Sequence, residues 1–206
     1  MSHKVQSEET TMLEEHSDCV EKALKECFPE AQILKNEATT VGGRGLKGAF
    51  VVRRAGHHDI ALELKDGGYV AHMYEPGYGS GKSRIDAALR STRIRYRELT
   101  ADKFGRKSGM KRTGSAEEVE VEIDGKKKKM MCITLRGGTK SGKKIYFDPD
   151  TGETFMKIDG MPAQKCENVT KDLIKLQGMK DAKVTKTQEV QYEGGGGSRG
   201  ESVHRG

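Results

Sequence analysis

Tryptophan is absent from these 206 residues, phenylalanine occurs five times, and aromatic residues make up 5% of the chain. Hydrophobic residues reach 33%, against about 45–50% in an average globular chain. That composition excludes one large core and favours two thin α/β layers. Long apolar runs are missing too. The longest runs, such as Ala49-Phe50-Val51-Val52, are four residues, far below the roughly 18–20 that a membrane-crossing helix needs. No apolar segment follows Met1-Ser2-His3-Lys4, as a secretory signal would require. These absences point to a cytoplasmic protein (or a stromal one, from a photosynthetic eukaryote) with no membrane partner. Cysteine is scarce: Cys19, Cys27, Cys132 and Cys166, with no CxxC pair. Cys19 and Cys27 are eight apart on a predicted helix, about 12 Å at 1.5 Å per residue. Disulfide Cα atoms lie within about 7 Å, so that pair is read as reduced, buried thiols.

Charge is plentiful and uneven. The net formal charge is +6, yet Lys82 to Arg112 alone holds eleven Lys or Arg against Asp86, Glu98 and Asp102. A lopsided field of this kind suits an anionic partner, either an acidic protein surface or a nucleic acid.

Periodicity predicts an α+β protein. Ser17 or Asp18 reads as the N-cap of a first helix carrying Cys19, Val20, Ala23, Leu24 and Cys27, which Pro29 ends. Gln32-Ile33-Leu34 and a loop over 41–48 lead to three predicted strands at 49–53, 59–64 and 69–74, with turns at Gly56 and Asp66-Gly67-Gly68. Ile85, Leu89, Thr92, Tyr96 and Leu99 recur on one face of a second helix over 83–99. Arg90, Arg93 and Arg97 form a separate basic stripe on it. Residues 101–116 read as a polar, mobile loop. A hairpin of 118–123 and 130–135 follows, closed by Asp124-Gly125 and the lysines 126–129. The Gly- and Lys-rich stretch 137–142 reads as a linker. Residues 143–192 then form a small ββαβ unit, and 193–206 a disordered Gly-rich tail.

Few motifs carry chemistry. In Pro76-Gly77-Tyr78-Gly79-Ser80-Gly81-Lys82-Ser83 a phosphate loop would place its first glycine on Pro76, which has no N–H to donate. What remains is a candidate anion loop of Gly79, Gly81, Lys82 and Ser83 at a helix start. His57, His58 and His72 fall short of a metal site, because adjacent strand residues point to opposite faces and no further ligand is evident. Cys166, at a predicted helix N-terminus, is the one thiol singled out for reactivity. No Ser-His-Asp or paired-carboxylate spacing stands out, so the chain reads as a non-enzyme without cofactor or metal. The candidate binding residues are Arg90, Arg93, Arg97, Lys107, Lys111 and Arg112.

Several strings resemble a family of cyanobacteria and plastids, hypothetical chloroplast frame thirty-five. They are Met1-Ser2-His3, Asp18-Cys19-Val20 with Ala23-Leu24, Val51-Val52-Arg53-Arg54, His58-Asp59-Ile60-Ala61-Leu62 and Arg93-Ile94-Arg95-Tyr96. The resemblance covers about residues 1–136. The segment after 143 resembles a small companion family through Lys144-Ile145, Asp148-Pro149-Asp150, Gly152, Ile158-Asp159-Gly160, Cys166, Thr170 and Leu173. There Gly160 would hold the turn that lets Cys166 start a helix. The chain departs from the first family in its Gly-rich 76–81, its basic 101–116 and its tail. The resemblance implies an accessory or adaptor role beside an AAA+ ATPase, with Arg90, Arg93 and Arg97 as a docking stripe. It brings no catalytic residue. The other expectation is a nucleic-acid-binding module using helix 83–99 and loop 101–116.

Overall fold

The computed structural model describes residues 2–7, 12–39, 41, 46–73, 81–123, 125–137, 141–159, 171, 172, 174, 175 and 183–187. It is an α+β protein with two antiparallel sheets. In chain order the elements are β1 (Ser2–Ser7), a 3₁₀ turn (Glu14–His16), α1 (Ser17–Cys27), β2 (Gln32–Thr39), β3 (Leu46–Arg53), β4 (Ile60–Lys65) and β5 (Gly68–Met73). Next come α2 (Gly81–Ser108), β6 (Lys111–Arg112), β7 (Glu117–Ile123), β8 (Lys126–Gly137), β9 (Ser141–Phe147), β10 (Thr154–Asp159) and β11 (Lys183–Thr187).

The four-stranded sheet runs β2-β3-β4-β5, a meander of consecutive hairpins. Its β4–β5 turn is Asp66-Gly67, both at positive φ (50° and 75°), the geometry that a two-residue hairpin turn requires. Phe50, Val52, Ile60, Leu62 and Tyr69 bury one face of this sheet against Val20, Ala23 and Leu24 of α1 and Leu89, Tyr96 and Leu99 of α2. Helix α1 begins at Ser17, and His16 in the N-cap position makes no side-chain cap bond. The expected Ser17 or Asp18 cap is therefore not used, because the preceding 3₁₀ turn already supplies a carbonyl partner there, the Ser17 N–H donating to Glu14.

The seven-stranded sheet runs β11-β1-β10-β9-β8-β6, with β7 also along β8. Its inner face is formed by Ile133, Leu135, Ile145, Phe147 and Met156, packed on Ala101, Phe104 and Met110. Helix α2 thus serves both sheets. At 28 residues it is about 42 Å long. Its first stripe (Leu89, Thr92, Tyr96, Leu99) faces α1 and the smaller sheet, and a second (Ile94, Ala101, Phe104) faces the larger one.

Four expectations change. Residues 101–116 are not a loop: α2 continues to Ser108, and β6 and β7 lie along β8. Met110 N–H donates to the Gly105 carbonyl at 2.8 Å and Gly109 has φ +69°, a Schellman end. Lys126 to Lys129 are strand residues, with Ile123 directly opposite Lys126 and Gly125 at φ +74° in the turn. Residues 137–142 are not a linker either. Gly137 pairs with Ser141 as the last rung of the β8–β9 ladder, so the expected boundary falls between two paired strands of one sheet. The ββαβ order of the last segment is present in β9, β10, the helical residues 171, 172, 174 and 175, and β11. It is not a separate unit, because β1 lies between β10 and β11, antiparallel to both. The strand expected to reach 190 is described only to Thr187, and the tail 193–206 lies outside the described residues.

Candidate functional site

The basic stripe of α2 faces the protein's own β9–β10 turn. Arg90 pairs with Asp150 and lies 3.9 Å from Glu118. Arg93 donates to the Pro149 carbonyl at 3.1 Å. Arg97 is only 5% exposed, with its guanidinium 5.9 Å from the centre of the Phe147 ring. Burial pushes its pKa down to about 10, which still leaves it charged at neutral pH. Spacing of three and four brought these arginines to one face, as the sequence predicts. That face is the one carrying Ile94 and Ala101, so Arg93 and Arg97 hold α2 to the sheet, with Arg90 in a partly exposed pair at its edge.

Arg112 is engaged as well. It holds Asp102 through two bonds, at 2.9 and 3.2 Å, and lies 3.5 Å from buried Glu98. Glu98 also accepts from the Ala116 N–H and from Arg95, both at 2.7 Å. Arg95 pairs in turn with Glu26, and these carboxylates raise its pKa. The network fastens the β6–β7 irregularity and α1 to α2. Asp102 precedes Arg112 by ten residues, a spacing that only the reversal at Gly109 makes a contact.

Lys107 and Lys111 are exposed, as a binding surface requires. The other sequence candidates fall differently. Gly81, Lys82 and Ser83 form the first turn of α2, while Gly79 and Cys166 lie outside the described residues. His72 is opposite Ala61 and contacts Glu63 at 3.0 Å, not His58. Among the described residues no three His, Cys, Asp or Glu side chains converge as metal ligands would. Burial pushes the thiols of Cys19, Cys27 and Cys132 up, away from the thiolate that nucleophilic chemistry uses.

One surface went unnoticed in the sequence. On the sheet face away from α2, Lys111 stands directly opposite Arg136, and Lys144 directly opposite Thr134. Thr134 and Arg136 are two apart on β8, so all four share a face. The three cations are exposed. Tyr146, half-buried and two residues along from Lys144, continues the same face, its ring 5.6 Å from that of Phe155. The alternation in Lys143 to Phe147 carries a signal of this face, but the sharing of one surface by 111, 136 and 144 depends on strand register.

No family model, no curated protein and no solved structure matches the chain.

Proposed function

We propose that this chain is a non-catalytic accessory protein that holds an anionic partner. The observation that supports it is the division of the cations. Arg90, Arg93, Arg95, Arg97 and Arg112 are tied to the protein's own carboxylates, carbonyls and rings, whereas Arg106, Lys107, Lys111, Arg136 and Lys144 are exposed. A fold that ties its inner arginines into its own packing and leaves a second set in water is suited to electrostatic docking. The upward-shifted thiols favour binding over chemistry. In its specific form the proposal follows the family resemblance: the partner is an AAA+ ATPase presenting an acidic surface, and the exposed Arg106 and Lys107 at the end of α2 replace the Arg90–Arg93–Arg97 stripe as its docking residues.

The test is capture on the immobilised chain from its native host, divided into nuclease-treated and untreated halves and eluted in rising salt. An ATPase retained after nuclease, and released as salt rises toward 1 M where the screening length is about 3 Å, is the expected result. A partner that stays bound at 1 M salt would overturn the electrostatic reading. Loss of all partners with nuclease would replace the ATPase by a nucleic acid, the second reading, which the sheet face with Lys144 and Tyr146 favours.

A further inference from the structure

The outer face of the seven-stranded sheet places like charges where a sheet ordinarily avoids them. Lys111 and Arg136 are direct cross-strand partners, and directly opposed like charges destabilise a ladder. None of Lys111, Arg136 and Lys144 is paired with a carboxylate among the described residues. Among the described side chains the acid beside them on the same face is Glu117, opposite Cys132, so three exposed cations against one acid leave this part of the face positive. Beneath it the other side of the same strands is packed on α2 through Ile133, Leu135 and Ile145, so the cations stand on a rigid base.

The row borders aromatic surface at Tyr146. A polyphosphate chain neutralises a row of cations, and the part of the half-buried Tyr146 ring left in water beside Phe155 offers a stacking surface to an unpaired base. A sheet face several strands wide does not enter a duplex groove, and an acidic protein surface makes no use of a ring beside the cations. Resting on the reading that the chain holds an anionic partner, we propose that this face binds single-stranded nucleic acid, with phosphates on Lys111, Arg136 and Lys144 and a base against Tyr146.

The test is fluorescence anisotropy of the full chain with a labelled mixed-sequence oligonucleotide of about 16 nucleotides, the upper end for one small platform, as RNA and as DNA. The triple variant K111E/R136E/K144E is compared with R106E/K107E, which reverses two exposed cations at the end of α2. The sheet variant is expected to lose at least tenfold in affinity. Its slope of log affinity against log salt should fall by about 2, at about 0.7 per lost phosphate contact. R106E/K107E should stay within twofold. Tyr146→Leu should weaken binding at least about fivefold, the smaller end of a base-stacking contribution. Thermal melts show whether each variant is folded, and Lys144→Gln, expected to lower the slope by about 0.7, serves if the triple variant is not. Equal losses in the sheet and helix variants would overturn this face as the site and leave the anionic reading standing. Polyglutamate competing as well as the oligonucleotide would overturn the nucleic-acid assignment in favour of an acidic protein. Binding of neither polymer would overturn both proposals.

Discussion

Tyr96 joins two distant parts of the chain through one hydroxyl. Its ring is 1% exposed in the core between α1, α2 and the smaller sheet, and its oxygen accepts the Leu13 N–H at 3.0 Å. Burial pushes the phenol up to about 12, so it remains protonated in any ordinary buffer. Tyr96→Phe keeps the packing and strands the Leu13 N–H, so it should cost about 1–3 kcal/mol in urea unfolding. A loss below about 0.3 kcal/mol would show that water replaces the hydroxyl. His16 makes a second residue-scale prediction. Its ring is buried with neither nitrogen hydrogen-bonded, although Glu15 lies 3.4 Å from Nε2. Burial first and Lys103 second hold its pKa below the ordinary 6.5, with Lys107 acting the same way and Glu15 and Asp18 opposing. As pH falls through 6.5 the unfolded chain therefore takes the proton before the folded one. The stability contributed by the neutral ring is complete above that value and declines below it. Denaturation midpoints from pH 7.5 to 5 should fall, and His16→Gln should flatten the decline; an unchanged slope in the variant would assign the effect elsewhere. Tyr96 is legible in the sequence as a core position, since it recurs with Leu89 and Leu99. Its bond to Leu13, 83 residues earlier, and the burial of His16 are not, because both need α1 and α2 already docked.

Helix α2 shows why amphipathic reading stopped short. One stripe of α2 is apolar in the ordinary way, but the other alternates Ile94, Ala101 and Phe104 with Arg90 and Arg93, whose polar ends reach the β9–β10 turn, and Arg97, which lies over the Phe147 ring. A helix packed on two sides has no single apolar direction, so its last two and a half turns resemble a charged loop. The ending itself is written in Gly105 and Gly109. A Cβ on Gly105 would lie 2.6 Å from the Met110 carbonyl oxygen, and neither backbone segment can yield without loosening the Schellman end. Gly105→Ala should therefore destabilise by about 1–3 kcal/mol, the range for overpacking, read in chemical denaturation. If Gly105→Ala were stabilising, as alanine is in an open helix, the close approach would be disproved. Arg90→Ala should change stability by less than about 1 kcal/mol, because its pairs with Asp150 and Glu118 are exposed.

At the scale of the whole molecule the N-terminal strand closes the sheet that the C-terminal segment begins. β10 and β11 are each antiparallel to β1 and therefore parallel to one another, joined through the helical residues near 171–175. A strand–helix–strand crossover that skips one position leaves a gap, and β1 fills it. Removing residues 1–7 takes a hydrogen-bonded neighbour from both β10 and β11. Hydrogen exchange on that truncated chain should show lost protection in β10 and β11, with β3 and β4 of the smaller sheet still protected. Uniform loss would mean that the two sheets unfold as one unit through α2; retained protection in β10 and β11 would disprove the role of β1.

Sequence alone determined the α+β class, the positions of α1 and of strands β3 to β5, and the Asp66-Gly67 turn, because each is local: helical or alternating periodicity, a proline, a residue pair that accepts positive φ. It also located Leu89, Tyr96 and Leu99 in the core. The tertiary structure decided which cations are free. Arg90, Arg93, Arg97 and Arg112 find their partners across 56, 60 or 10 residues or over the Phe147 ring, while Lys111, Arg136 and Lys144 meet on one sheet face through strand register. Charge pairing falls off over a few ångströms, and side-chain facing reverses with a one-residue shift in register. Neither is set until the strands have been placed.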